Sequence, residues 1–268
     1  MILKKLQKAI RRHPFLYLSR FRLLSKNSNI EEIESFHYNQ LNTKENIPSY
    51  FFEINKLIFK KGKPDADIDI VKQISLWLKT NIKGGPGLSE PSAKSLHTML
   101  SGKGGVCSDI AQVFNNFCVI NNIYVREWGT TSAPFNKDFG GHSFNEIYSK
   151  ELGKWLLVDV YWCFLFYDHM KNPLSVIEVY QLKRANKEVH FESFYIDDVV
   201  KITTIENNYL NPNIAPFLIC DYRNSVYDRF LKFTRPYIPI FVIHFLIFVM
   251  QRSYHYRFPL DDYKKIFS

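Results

Sequence analysis

The chain has 268 residues, 46% of them hydrophobic and 16% aromatic, which is ample for a packed core and excludes a disordered polymer as the default reading. The net charge of +9 is uneven: Lys4, Lys5, Lys8, Arg11, Arg12, Arg20, Arg22 and Lys26 fall in the first thirty residues with no acid among them. The remainder is close to neutral, so the charge marks a segment and not a nucleic-acid-binding surface. The four cysteines, Cys107, Cys118, Cys163 and Cys220, make no CxxC pair and no zinc spacing, which argues against a disulfide framework and a structural metal and favours a reduced, cytoplasmic setting.

Met1 to Arg12 places Ile2, Leu3, Leu6 and Ile10 at helical spacing between basic residues, and Phe15 to Leu24 resumes the pattern after His13-Pro14. Charges interrupt it before a secretory apolar core can form. Two readings stay open: a helix on an anionic membrane surface, or one packed on the body with its lysines in solvent. Asn27 to Ser49 is polar and reads as a linker or an irregular surface stretch. Tyr50 to Lys60 reads as a short buried helix. Ile70, Val71, Ile74, Leu78 and Ile82 recur at three- and four-residue steps and predict a long helix over Ile68 to Ile82, with Trp77 in the core. Lys83-Gly84-Gly85-Pro86-Gly87 must be a loop. It lacks the Lys-Ser/Thr ending of a phosphate-binding P-loop, so a flexible rim near a cleft is expected instead. A short helix, Ser92 to Leu100, follows.

Gly104-Gly105-Val106-Cys107-Ser108-Asp109 is a tight turn that delivers a thiol to the start of an apolar helix running to the Asn121-Asn122 pair. Unpaired backbone N–H groups and the positive end of the helix dipole favour a thiolate there. Asp109 fits a carboxylate bonding nearby N–H groups better than a catalytic acid, because its charge would oppose the thiolate. Ile123 to Thr130 reads as a strand in which Arg126 and Glu127 form a solvated or edge pair, with a substrate-binding role for Arg126 as the alternative. His142 to Tyr148 and Lys154 to Trp162 alternate as strands, and the turn between them makes an antiparallel hairpin that sets His142 beside Asp159. That is the geometry of a base with its orienting carboxylate.

Gly-Val-Cys-x-Asp-x-Ala, then a strand opening with His and reaching Glu-x-Tyr, then Trp-x-x-Val-Asp, resembles the transglutaminase-like superfamily, whose core belongs to the papain-like cysteine-enzyme fold. The resemblance runs from about Asp65 to Trp162. It implies Cys107 as nucleophile, His142 as general base and acid, and Asp159 as the orienting carboxylate. Papain-type proteases place a Gln shortly before the cysteine; Ser101 occupies that region here. The Cys107 backbone N–H is the one oxyanion donor the sequence offers.

Past the hairpin, Cys163 to Asp168 runs straight on, and Ser175-x-x-Glu178 is a capping box that opens a helix to about Ala185. The stretch around His190 to Thr204 supplies one or two further strands, and Asp221 to Phe233 a helix. Pro236 to Met250 is the most apolar run, flanked by Arg235 and Arg252. It is too short to span a bilayer and suits a buried or membrane-interfacial segment. His13, His37, His97, His169, His190, His244 and His255 join no recognisable pattern.

The expected architecture is therefore α+β, a transglutaminase-like, papain-like core in which a nucleophile at a helix N-terminus packs on a small antiparallel sheet. Residues 1–49 form a basic segment and linker, 50–190 the catalytic core, and 191–268 a C-terminal extension. The expected function is cysteine-dependent acyl transfer on a peptide, protein or other amide or thioester, as a protease or amidase or as a transglutaminase-type transferase, with no cofactor, metal or nucleic-acid partner. Two alternatives stay open: a non-catalytic binding or assembly module on the same fold, and a cytoplasmic protein touching the membrane through its basic N-terminal segment and residues 236–250.

Overall fold

The computed structural model describes residues 14–136, 139, 141–195, 202–235 and 237–268, with backbone alone for 14–17. The expected helix over residues 1–12 lies outside them. Helix α1 (Pro14–Leu24) runs directly into a short strand, β1 (Ser25–Asn27), and α2 (Ile30–Glu34) follows. The periodic runs then become α3 (Ser49–Ile58), α4 (Asp67–Asn81), α5 (Ser92–Leu100) and α6 (Cys107–Ile120). Their apolar faces carry Phe51, Ile54, Ile74, Leu78, Leu96, Met99, Phe114 and Phe117, all buried together.

Three strands come next: β2 (Val125–Ser132), β3 (His142–Ser149) and β4 (Lys154–Asp159). They pair antiparallel, with Trp128 opposite Phe144 and Asn145 opposite Val158. Side chains alternate between faces, so Leu156 and Val158 pack on the helices α3 to α6 while Leu157 points to a second core. Both faces of the hairpin are covered, which is why Trp-Leu-Leu-Val reads as a continuous apolar run. The second core holds Trp128, Phe144, Phe164 and Phe166 with the apolar side of α7 (Val176–Arg184). Burying each such side chain contributes roughly 1.5–3 kcal/mol.

The sheet is larger than the small one expected. Strands β5 (Phe164–Tyr167) and β6 (His190–Ser193) extend it past β4, and β7 (Ile214–Cys220) and β8 (His255–Phe258) extend it past β2. The eight strands run in the order β1-β8-β7-β2-β3-β4-β5-β6, all pairs antiparallel except β1 with β8. The divisions expected at residues 49 and 190 therefore do not follow the sheet. One strand comes from before the first boundary and three from at or after the second, because the central β2 needs a hydrogen-bonded neighbour on each side. Short helical turns at Ile202–Ile205 (α8) and Glu206–Leu210 precede β7, so the second half of the stretch expected as strands is helical where it is described. Helices α9 (Asn224–Thr234), α10 (Ile240–Val249) and α11 (Tyr263–Ile266) complete the chain. With α1 they enclose a third core around Phe21, Phe217, Tyr227 and Phe258.

Three local expectations change. The presumed linker is a packed strap: Tyr38 and Asn42 are buried, and Asn39 exchanges hydrogen bonds with the Ile123 carbonyl and the Val125 amide. Cys163 to Asp168 does not run straight on, because Cys163 adopts φ +59° and turns the chain back so that β5 pairs with β4. Arg126 and Glu127 are neither solvated nor paired with each other. Adjacent residues on a strand face opposite sides, and both sides of β2 are buried. Arg126 pairs with Glu146 at 3.2 Å, stacks 3.7 Å above the Trp155 ring and donates to the carbonyls of Ile33, Glu34 and Phe36.

Candidate active site

Cys107 is the first residue of α6, as its glycine-rich approach predicts. Gly104 and Gly105 hold φ of +153° and +114°, which L-residues rarely adopt. A Cβ on Gly105 would sit 2.6 Å from the Met99 sulfur, and one on Gly104 2.8 Å from the Pro86 carbonyl. The turn is laced to the Gly84–Gly87 loop by hydrogen bonds from Gly85 N–H to the Gly105 carbonyl (2.9 Å) and from Gly105 N–H to the Pro86 carbonyl (3.0 Å). The Asp109 carboxylate adds bonds from the amides of Val106 (3.0 Å) and Leu88 (3.2 Å). The loop expected as a flexible rim is thus a brace tied to the approach to the thiol. Asp109 is the loop anchor that its place in the first turn predicts.

His142 opens β3 and Asp159 ends β4, and both are buried. The His142 Nε2 lies 2.7 Å from Asp159 Oδ2. With Nε2–H donating to the carboxylate, Nδ1 is the nitrogen left for a partner, and Cys107 lies near enough to act on the same imidazole. Burial acts to lower the His142 pKa, but the charge and hydrogen bond of Asp159, with help from Cys107, override it and push it up to about 10. The three residues singled out from the sequence therefore meet in space.

Two groups around Asp159 carried no pattern in the sequence. The Tyr209 hydroxyl donates to Asp159 Oδ2 at 2.6 Å, and the Trp162 backbone N–H donates to Oδ1 at 2.8 Å. Tyr209 is buried among Phe144, Phe164 and Phe166, with ring centroids 4.9, 5.5 and 5.2 Å away. It comes from the helical turn before β7, and its spacing from Asp159 repeats no motif. The indole of Trp162 covers one edge of the His142 ring at 5.5 Å.

Cys107 is the one partly exposed cysteine, the other three being buried. Burial pushes the thiols of Cys163 and Cys220 up to about 12 and raises that of Cys118 well above its ordinary value. A cleft of about 60 Å³ lies beside the turn, lined by Gly84, Ile110, Tyr161, Lys79 and Lys83 among others. Ile110 is one helical turn from Cys107, so the two share a face of α6. Among the described residues no group of three or more His, Cys, Asp or Glu side chains gathers to hold a metal.

Residues 55–160 match the model of the transglutaminase-like superfamily. The chain carries a transglutaminase-like domain. The matched segment contains Cys107, His142 and Asp159 and stops before Tyr209. Members of this superfamily are usually cysteine-dependent acyl-transfer or hydrolytic enzymes. No curated protein and no solved structure matches the chain. The transglutaminase-like segment covers α4 to β4, while β1, β5 to β8 and the helices after β4 lie beyond it.

Proposed function

We propose that the protein transfers acyl groups through Cys107, with His142 as proton carrier and Asp159 as its orienting carboxylate. The observation that carries this reading is the 2.7 Å contact of Asp159 with His142 Nε2, which leaves Nδ1 to face the thiol, with Cys107 at the start of α6 near enough to raise the imidazole pKa. A thiolate on Cys107 attacks the carbonyl carbon of an amide or thioester. Negative charge moves to the carbonyl oxygen, where backbone N–H groups at the start of α6, that of Cys107 among them, can hold it. His142 gives its proton to the leaving amine or thiol as the scissile bond breaks, leaving an acyl-thioester on Cys107. Water or a primary amine then attacks, His142 takes the attacking group's proton, and the thiolate departs.

Support comes from three directions. The imidazolium is favoured in place, the thiol is the accessible member of the set, and the superfamily's usual chemistry needs such a set. The substrate is an amide or thioester of a peptide, protein or smaller molecule.

The test is alkylation by iodoacetamide at about pH 6, well below the ordinary thiol pKa of about 8.5, read residue by residue. Cys107 is expected to react at least tenfold faster than Cys118, Cys163 and Cys220, and the advantage over a model thiol should vanish in His142→Ala. Slow labelling of Cys107 that His142→Ala leaves unchanged would sink the catalytic reading and leave a binding module on the same fold. With activity in hand, incorporation of a fluorescent primary amine, set against release of free acid, separates transferase from hydrolase.

A further inference from the structure

Helix α10 is apolar on every side, with the sequence Ile-Phe-Val-Ile-His-Phe-Leu-Ile-Phe-Val. A helix of that composition is normally enclosed, by a protein core or by lipid. Here only Ile243 and Ile247 are fully covered. Phe245 is 56% exposed, Val249 60%, and Phe233 and Tyr237, from the end of α9 and the turn after it, 68% and 85%. Phe241, Phe245 and Val249, exposed at four-residue steps along α10, make an apolar face that solvent alone does not explain.

The charge of the segment that forms that face is of one sign. From Arg229 to Leu260 there is no Asp or Glu, while Arg229, Lys232, Arg235, Arg252 and Arg257 are all cationic. Arg229, Lys232 and Arg252 are exposed. Helix α1 packs into the same core as α9 and α10, and the sequence leading into it is the basic segment. A second copy of the chain would meet this face in a two-fold dimer with its own cations, like against like. A bilayer bearing anionic headgroups offers both an apolar interior for the aromatics and counter-charge for the rim. The helix has ten residues, about 15 Å at 1.5 Å per residue, half the depth of a hydrocarbon core of about 30 Å. It can lie in the interface but not cross it, and among the described residues no helix is long and apolar enough to span a membrane.

We propose that the α9–α10 hairpin docks the protein on the surface of an anionic phospholipid bilayer. Phe245 and Val249 enter the headgroup boundary, and Lys232 and Arg252 lie against the phosphates.

Flotation of the full chain with vesicles tests this. Vesicles of phosphatidylcholine with about one third phosphatidylglycerol are compared with phosphatidylcholine alone, since each basic residue near such a surface adds about 1 kcal/mol, roughly fivefold in affinity. Binding should be at least tenfold tighter on the anionic vesicles and should weaken as salt shortens the Debye length. Phe245→Glu with Val249→Glu should lose at least tenfold in binding, and Lys232→Glu with Arg252→Glu should remove the preference for anionic lipid. All four side chains are exposed, so the thermal melts should match wild type. Absence of binding to anionic vesicles at low salt overturns the proposal. So does binding that both double variants leave unchanged, which would move the contact to another part of the chain. A concentration-dependent dimer that Phe245→Glu disrupts, without vesicle binding, would assign the face to a second copy instead.

Discussion

Asp159 sits where four groups meet: the His142 imidazole and the Tyr209 hydroxyl on Oδ2, the Trp162 amide on Oδ1, and the aromatic wall behind Tyr209. A buried carboxylate held by several donors keeps one orientation, and through it the imidazole keeps one tautomer. Tyr209 is thus a positioning residue. Tyr209→Phe removes a hydrogen bond to a charged group, worth about 1.5–3 kcal/mol. The variant should lower the melting temperature and slow Cys107 alkylation, while the other cysteines stay unreactive. Because it leaves Cys107 and His142 in place, the alkylation–pH profile should shift instead of disappearing as in His142→Ala; a profile identical to wild type would make Tyr209 merely structural. The raised pKa of His142 has a further consequence of definite sign. The folded state holds a proton that the unfolded chain releases near the ordinary imidazole value of about 6.5, so this contribution to stability is complete below about pH 6.5 and is lost as pH rises toward about 10.

At the scale of elements, α6 is fixed to the sheet by a buried polar ladder. Asn145 on β3 donates to the Ala111 carbonyl (3.1 Å) and to Asn115 Oδ1 (2.8 Å), and Asn115 donates to Glu127 on β2 (2.9 Å). Register between the helix that carries Cys107 and the strand that opens with His142 is thereby set by directional bonds, where apolar packing alone would allow sliding. Burial raises the Glu127 pKa to about 8, against the opposing hydrogen bond from Asn115 and with a push from Asp109. The folded state therefore holds this proton while the unfolded chain releases it near 4.5, and stability falls as pH rises from about 4.5 to about 8. Glu127→Gln keeps the acceptor oxygen and cannot ionise. Urea melts from pH 5 to pH 8 should show a flatter dependence on pH in the variant than in wild type; an unchanged slope would mean that Glu127 is already ionised in the fold. Arg126, next along the strand, was legible as a cation but not as a buried one. The carbonyls of Ile33, Glu34 and Phe36 that it satisfies lie some ninety residues earlier in the chain.

At the scale of the molecule, the transglutaminase-like segment does not close its own sheet. β2 is hydrogen-bonded to β3 on one side and to β7 on the other over six residue pairs, Glu127–Ile219 through Ser132–Ile214. Removing everything after residue 190 would open β2 as a long unpaired edge, uncover Trp128 and Phe144, and delete Tyr209. A fragment of residues 50–190 should therefore aggregate or lack a cooperative melt by circular dichroism, whereas the full chain should unfold in one transition. A cooperative melt of that fragment would show that the transglutaminase-like segment folds without β7.

Most helices, the β3–β4 hairpin and the Cys107–His142–Asp159 set were legible in the sequence, because each rests on local physics. Apolar residues recurring at helical steps place α3, α4 and α6, alternation and a short turn place the hairpin, and two glycines before a helix place the thiol. The sequence could not reveal which distant segments cover a given side chain. Tyr209 sits in an Asn-rich turn with no periodicity, and the pairing of β7 with β2 joins strands more than eighty residues apart. Arg126 and Glu127 look like surface charges until both faces of their strand are covered. Local chemistry determined the candidate reacting groups; long-range packing, whose contacts leave no spacing to read, decided what holds them in place.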